Sequence, residues 1–433
     1  MTATRPSRRG RRRHPLVVTS LGLVSVALSG CGIFAQPRPA TVGGSSLAPA
    51  GSVGYVVCSN AVTPVELATR TAEAPIPLPI SGTPDLGDFA IATSPDGRMA
   101  YVVTADGSAA AAPSGPASTS STPSGATSAT PATPATTATP ATTATPATPA
   151  PTTSTTTVPA STVGVQNVVI PIDLVTQQAE RPIDIPGQGA THAIVVLPGG
   201  HTVLAASGST IVPVDVDRRT VGQPLQLGAG DTIYGLALDP VATTAYALVP
   251  GGVVPVDTAN GTAGATIPTG LTVSSVYSPH GIAVTDDGAT VYVVGQGPPD
   301  FGGRVLPITT STGATGTPAS FDNYGIADPA ALAVEPDGSS LLVADSANNW
   351  INPVPLATFT NPPQPVRLPP QAAGEPSSGT QHPTDIVLDP SGTSAYVVEG
   401  FDAVLPYDPA SQTFGRAIPV CTGASSMAVA PSP

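Results

Sequence analysis

A proline recurs inside seven strand-like apolar segments of the chain, and this repeat constrains the fold more than any other feature. The copies are Pro64, Pro171, Pro213, Pro255, Pro307, Pro353 and Pro406. Each stands in a run rich in valine, isoleucine or leucine, which favour strands, although proline removes a backbone donor. Pro171, Pro213 and Pro255 follow one another at intervals of 42 residues, close to the ~40–45 residues of a four-stranded propeller blade.

A second pattern precedes each proline: an apolar strand, a turn of Pro, Asp and Gly, and a strand rich in Tyr and Val. Examples are "FAIATSPDGRMAYVVTA" and "HGIAVTDDGATVYVVGQ". Asp-Gly pairs supply the positive φ that tight hairpins require. Each unit therefore reads as strands a, b, c and d, with the proline in strand c. Seven units predict an all-β fold, a seven-bladed β-propeller spanning residues 51–433.

Six units are complete, whereas the seventh is divided between the two ends of the chain. The terminal "SSMAVAPSP" supplies a strand a, and "GYVVCSNAVTPVEL" near the start supplies strands b and c. We therefore expect a terminal clasp, with strand a of the last blade from the C-terminus and strands b–d from the N-terminus. Such closure hides sheet edges that an open array would expose.

Two segments are too poor in apolar residues to belong to the core. Residues 31–50 are expected to form a flexible tether. Residues 107–162 consist almost wholly of Ala, Thr, Pro, Ser and Gly, so we expect a disordered insertion. Its place in the repeat is a b–c loop of the first complete unit.

The strand b segments "AYVV", "VYVV" and "AYVV", at 100, 291 and 395, together with the turn "SPDG" at 94, resemble the YVTN family of β-propellers. The similarity covers residues 51–433 apart from the insertion. It implies the propeller fold. Because the family is defined by its repeat, the resemblance implies no particular activity.

Residues 1–30 have the layout of an export signal, with an Arg-rich start followed by the apolar run "PLVVTSLGLVSVALSG". The run ends in "LSGC", which resembles a bacterial lipobox and implies cleavage before Cys31 and lipidation of that residue. The alternative is an ordinary signal peptide with a cysteine there by chance. The lipoprotein interpretation predicts a location at the cell membrane, lipid-anchored on the extracytoplasmic face.

The charge balance limits the partners. All 15 basic residues are arginine and six lie in the leader, which leaves nine against 28 acidic residues, a formal charge of −19. Such a chain repels nucleic acid and anionic lipid. We therefore expect no nucleic-acid partner, and membrane attachment only through lipid.

Cys58 and Cys421 remain after Cys31 is assigned to lipid. Both fall in the divided blade, and an exported protein meets an oxidising compartment. A disulfide between them would lock the clasp. The alternative is a pair of buried free thiols.

Acidic residues recur at the turns. Asp173, Asp215, Asp257 and Asp408 follow the strand c proline, and Asp96, Asp287 and Asp337 lie in a–b turns. Their repetition predicts that they cap turns through local hydrogen bonds rather than carry out catalysis.

The mouth of the channel offers weak candidates for catalysis: His192, His280, His382, Asp385 and Asp328. Converging histidines could hold a metal, but the blades that carry them are not adjacent, and structural histidines explain the pattern better. We predict no metal and no cofactor. A propeller enzyme of lactonase or lyase type is the alternative function, and it would need these groups to converge.

The preferred hypothesis is a monomeric binding or scaffold protein that uses the face formed by b–c loops and d–a connections. Candidate contact residues on that face are Tyr277, Tyr324, Asn348, Asn349, Trp350 and Phe401. Exposed aromatic residues there could anchor a cell-envelope protein, peptide or glycan. The alternative for Trp350 is packing against the edge of its blade.

Overall fold

The computed structural model describes the propeller region with several gaps. The described ranges are 51–80, 89–106, 166–187, 189–228, 232–273, 281–298, 302–320, 328–358, 364–369, 382–400 and 402–431. The predicted leader 1–30, tether 31–50 and insertion 107–162 lie outside them. Within the described ranges, no helix combines the length and apolar character that a membrane span requires.

The described strands form seven antiparallel sheets, one per blade. The composite blade contains β1 (Ser52–Val57), β2 (Ala61–Glu66), β3 (Thr71–Ala72), β4 (Ile76–Pro77) and β34 (Ser426–Pro431). Blade 1 contains β5 (Ala90–Thr93), β6 (Met99–Asp106), β7 (Gln166–Asp173), β8 (Gln178–Ala179) and β9 (Ile183–Ile185). Blade 2 contains β10 (Ile194–Val196), β11 (Thr202–Ser207), β12 (Thr210–Asp215), β13 (Thr220–Val221) and β14 (Leu225–Gln226).

The remaining four blades follow the same order. Blade 3 contains β15 (Gly235–Leu238), β16 (Thr244–Val249), β17 (Gly252–Asp257), β18 (Thr262–Ala263) and β19 (Ile267–Pro268). Blade 4 contains β20 (Ile282–Val284), β21 (Thr290–Gly297), β22 (Gly302–Thr309), β23 (Ala314–Thr315) and β24 (Ala319–Ser320). Blade 5 contains β25 (Pro329–Val334), β26 (Ser340–Asp345), β27 (Trp350–Pro355), a 3-10 turn (Leu356–Thr358) and β28 (Val366–Arg367). Blade 6 contains β29 (Pro383–Leu388), β30 (Ala395–Glu399), β31 (Ala403–Asp408), β32 (Thr413–Phe414) and β33 (Ile418–Pro419).

The predicted seven-bladed propeller is confirmed. Within each blade the strands run a, b, c, d from the channel outward. The a–b and c–d turns lie at one end of the blades, which we call the bottom face. The b–c turns and d–a connections lie at the other end, the top face.

The hydrophobic core lies between blades rather than within any one of them. Seven buried clusters each join two neighbouring blades, so the packing continues around the ring. Between blade 6 and the composite blade, Tyr396 and Val404 pack with Val56 and Leu67, and none of these is more than 1% exposed. Burying one such side chain stabilises the fold by about 1.5–3 kcal/mol.

The predicted clasp is also present. The C-terminal β34 pairs antiparallel with β1, from Ser52↔Pro431 to Val57↔Ser426. Strand a of the composite blade therefore comes from the C-terminal end, and strands b to d come from the N-terminal end. Because β1 begins at the bottom face, the segment before residue 51 joins the ring there.

The structure pairs Cys58 with Cys421 as a disulfide, with the two Cα atoms 6.0 Å apart. Cys58 follows β1 in the b–c turn, and Cys421 lies in the connection from β33 to β34. Thr63 Oγ1 donates a hydrogen bond to Cys421 Sγ at 2.8 Å. The covalent link therefore holds the top of the clasp, on the opposite face from the start of β1.

The strand c prolines occupy places where no backbone donor is needed. In blade 3, Gly264 N–H donates to Pro255 O at 2.8 Å, so this side of the proline faces the outer strand. The N–H and C=O of one residue in an antiparallel strand point to the same neighbour. The missing donor therefore also faces the outer strand, where the ladder is interrupted between β18 and β19.

Strand d, which the repeat predicts as the fourth strand of each blade, is divided in most blades of the structure. Apart from blade 5, where one segment is described, strand d consists of two short segments that flank the proline. The same bond to a proline carbonyl recurs from Glu73, Glu180, Gly222, Gly316 and Gly415. The proline thus fixes where the outer strand breaks.

The two repeated sequence patterns meet across strands b and c. In blade 3, Tyr246 lies directly opposite Pro255. Tyrosine also faces the proline in blades 1, 4 and 6 and in the composite blade. Burial raises the pKa of these tyrosines, to about 12 for Tyr101 and Tyr396. In five blades a buried tyrosine therefore faces the proline across strands b and c, whereas Leu204 and Leu342 occupy this position in blades 2 and 5.

The predicted turn caps are confirmed. Asp257 Oδ1 accepts hydrogen bonds from the N–H groups of Ala259 and Asn260, both at 2.9 Å. Equivalent bonds to backbone N–H groups fix Asp173, Asp215 and Asp408 in c–d turns, and Asp96, Asp287 and Asp337 in a–b turns. These carboxylates therefore have a structural explanation.

Candidate functional site

The central channel is lined by the inner strands of the blades. Its cavity, of about 470 Å³, is bordered by β5, β10, β15, β20, β29 and β34. The lining side chains are aliphatic apart from Met427 and Thr93. The hydroxyl of Thr93 donates a hydrogen bond to Val429 O at 3.1 Å. The described middle of the channel therefore presents no side chain able to act as an acid or base.

The two described histidines among the predicted three, His192 and His382, lie at the starts of blades 2 and 6, which are not adjacent. His192 is 9% exposed, and its ring centroid lies 6.3 Å from that of Tyr234 in blade 3. His382 lies at the start of blade 6, where Nδ1–H donates to Ser346 O at 2.9 Å. That carbonyl can only accept, so the bond fixes the proton on Nδ1. His280 lies outside the described residues.

The structure brings His382 close to a carboxylate cluster in blade 5. Asp345, 1% exposed, accepts hydrogen bonds from Asp328 N–H at 3.0 Å and from Asn348 Nδ2 at 2.8 Å. Burial raises the pKa of Asp345, and the bonds from Asn348 oppose that shift. Ser346 Oγ donates to Asp328 Oδ2 at 3.1 Å. The cluster ties the b–c turn to the beginning of strand a.

Asp328 contributes one oxygen that the turn does not satisfy. Its Oδ1 is buried and accepts no hydrogen bond within the described chain. Buried polar atoms usually have partners, so Asp328 Oδ1 is an unsatisfied acceptor within the cluster. The Oδ1 atom of Asn349 is likewise buried and accepts no hydrogen bond within the described chain.

Asp385 has a different role from the one expected of a catalytic acid. It is fully buried, and its Oδ2 accepts a hydrogen bond from Met427 N–H at 2.9 Å. Its Oδ1 accepts from Ile386 N–H at 2.8 Å. The carboxylate therefore joins blade 6 to β34 of the clasp.

The blade 5 turn also holds three of the predicted contact residues. Asn348 supports the turn through Asp345, Asn349 has φ of 58°, and Trp350 begins β27. Asn349 and Trp350 are both half-buried. Tyr277, Tyr324 and Phe401 lie outside the described residues.

Asp345 was not among the sequence candidates, although it organises this cluster. The equivalent strand b position carries an acid in only one other blade, Glu399 of blade 6, and is Ser207 in blade 2. A residue that departs from the repeat at a buried position is the signal that could have identified it. Within the described residues, no group of three or more His, Cys, Asp or Glu side chains could hold a metal ion.

Comparison with known proteins identifies no family for the chain. Neither a protein-family model nor a curated protein matches its sequence. Among solved structures it is similar to hydrazine synthase of Kuenenia stuttgartiensis, at 18% identity and a TM-score of 0.51. The match covers 61% of this chain and 84% of that chain. At this identity the similarity shows the fold alone.

Proposed function

We propose that the chain is an exported YVTN-type propeller that acts as a binding or scaffold protein, anchored to the cell membrane by lipid on Cys31. Its partner would be a protein, peptide or glycan of the cell envelope, bound at the top face. The propeller fold supports a binding or scaffold role, and the "LSGC" sequence supports the lipid anchor. A tether that precedes residue 51 would join the bottom of the ring, so the top face would point away from the membrane.

The observation that carries this proposal is the hydrogen-bonded b–c turn of blade 5. Asp345 holds that turn from below through Asp328 and Asn348. Asn349 and Trp350 are therefore presented, partly exposed, on a fixed frame. Aromatic and amide side chains held in this way bind with little loss of conformational entropy.

An enzyme of lactonase or lyase type is less well supported. The candidate groups within the described chain lie in blade 2 (His192), blade 5 (Asp328) and blade 6 (His382 and Asp385). Asp385 is engaged in holding the clasp. No observation brings these four groups to one reacting position.

The anchor is tested by detergent-phase partition of the full chain expressed in a bacterium that processes lipoproteins. The wild type should enter the detergent phase, and Cys31→Ala should remain in the aqueous phase. Diacylglycerol supplies the two chains that stable anchoring requires. Aqueous partition of both proteins would contradict the anchor.

The top-face surface is tested by capture from solubilised cell envelope. The bait lacks 107–162, and its variants are Trp350→Ala, a shortened 370–381 connection, and Thr262→Ala as a control in the exposed outer strand of blade 3. We expect both top-face variants to lose the captured partner and the control to retain it, at unchanged melting temperatures. Equal capture by all baits would refute the proposed surface.

A further inference from the structure

The repeat concentrates negative charge on the bottom face. The a–b and c–d turns, which form this face, carry more than half of the acidic residues in the described chain. They are Glu66, Asp96, Asp173, Asp215, Asp217, Asp239, Asp257, Asp286, Asp287, Glu335, Asp337, Asp389 and Asp408. The same turns contain four arginines: Arg70, Arg98, Arg218 and Arg219. The chain has no lysine.

Backbone hydrogen bonds keep many of these carboxylates fixed and ionised. Backbone and side-chain donors lower the pKa of Asp96, Asp215, Asp257 and Asp287. Asp96 and Asp287 are exposed. The negative surface is therefore preorganised and does not depend on flexible side chains.

A cleft of about 680 Å³ opens on this face between blades 1 and 2. Its apolar surface includes Pro95, Met99 and Pro198. Its charged lining consists of Asp96, Asp173 and Asp217 together with Arg98 and His201, and Asp217 Oδ2 lies 2.6 Å from His201 Nδ1. Tyr101 fixes one edge, because its hydroxyl donates to Gly200 O at 2.9 Å. The volume falls within the range of about 300–1,000 Å³ for ligand sites.

A second cleft, of about 370 Å³, lies between blades 4 and 5. Asp286, Asp287, Glu335 and Asp337 border it, and its lining contains no basic residue. Asp286 is exposed. Within the described chain, the hydrogen bonds of this turn go to Asp287 and not to Asp286. The two clefts thus share an excess of negative charge.

The bottom face also exposes large apolar side chains where solvent would favour polar ones. Val241 in the a–b turn of blade 3 is 73% exposed, and Val175 in the c–d turn of blade 1 is 62% exposed. Val175 borders the larger cleft. An apolar side chain is therefore exposed beside the acids of this cleft.

We propose that the bottom face is a docking surface for a basic protein segment in which lysine or arginine alternates with apolar residues. Its cationic heads would meet the acids of the two clefts, and its apolar residues would cover Val175 and Val241. Anionic lipid and nucleic acid would be repelled by the same charge. This surface is opposite the proposed top-face site and does not depend on it.

The test uses the full mature chain and a fluorescent peptide of alternating lysine and leucine, followed by fluorescence anisotropy. Asp286→Lys should weaken binding by about fivefold or more, the factor that corresponds to ~1 kcal/mol for an exposed ion pair. The matched control is Asp184→Lys, an exposed acid in β9 towards the top of blade 1, which should change binding by less than about twofold. A peptide of alternating glutamate and leucine should not bind.

Raising the salt concentration from 0.01 M to 1 M shortens the screening length from about 30 Å to about 3 Å, so binding should weaken strongly. Trp350→Ala should bind the peptide normally, which separates this surface from the top-face proposal. Equal weakening by Asp184→Lys and Asp286→Lys would show attraction by net charge alone and would overturn the proposal. Absence of saturable peptide binding would also overturn it.

Discussion

Replacing both Cys58 and Cys421 by serine should destabilise the propeller substantially. The bond joins positions separated by 363 residues, and a loop of that length corresponds to about 6 kcal/mol in the chain-entropy expression. Measured losses are smaller, commonly about 2–5 kcal/mol, because unfolded chains keep some structure. We expect a loss in this lower range.

The structure indicates why the loss should remain below the entropic value. Without the disulfide, β34 keeps its register with β1 over six residue pairs. The buried cluster between blade 6 and the composite blade also remains. A serine at 421 retains an acceptor for Thr63 Oγ1, so the local hydrogen bond need not be lost.

The assay is guanidinium unfolding of the wild type and the double-serine variant, each with and without dithiothreitol. Reductant should lower the midpoint of the wild type to that of the variant and leave the variant unchanged. Titration of unfolded, unreduced wild type lacking Cys31 should find no free thiol. Two reactive thiols, or equal midpoints for oxidised wild type and variant, would refute the reasoning.

Three further changes test the blades themselves. Gly316→Ala places a Cβ 2.9 Å from Pro307 Cγ and should lower the free energy of unfolding, measured with urea, by about 1–3 kcal/mol. In the control Gly199→Ala the nearest atom is 3.7 Å from the new Cβ, so the loss should be smaller. Asp257 has a lowered pKa in the folded state, so its contribution is present above the unfolded pKa of about 3.9 and is lost as pH falls through the folded pKa. Stability curves of the wild type and Asp257→Asn should therefore converge at low pH, and a constant difference would contradict the assignment. Asp385→Ala leaves two buried N–H groups without their acceptor and should lower the free energy of unfolding by about 1–3 kcal/mol for each group. An unchanged urea midpoint would rule out the role of Asp385 in the clasp.

The sequence predicted the blade count and the clasp because both depend on local patterns that repeat. Each copy of the strand c proline marks one blade, and the copy at Pro64 places the N-terminal strands in the last one. The turn acids were predictable for the same reason, since an aspartate bonds to backbone donors two or three residues later.

The blade 5 cluster and the clefts could not be predicted in this way. Asp345 acquires its role only when strand b of blade 5 comes beside Asp328, which precedes it by 17 residues. The clefts arise where turns of neighbouring blades fail to fill the space between them. The break in strand d was not predicted either. It depends on which neighbouring strand the missing N–H of Pro255 would face, and only the strand pairing shows this.

The divided strand d determines how the rim of the ring can meet another molecule. Growth of one sheet onto another requires a continuous row of unpaired backbone groups. Within the described chain, the outermost segments are mostly two residues long and are interrupted beside a proline. Neighbouring propellers crowded on a surface would therefore find no edge on which to extend a shared sheet, and lateral contacts would be left to side chains.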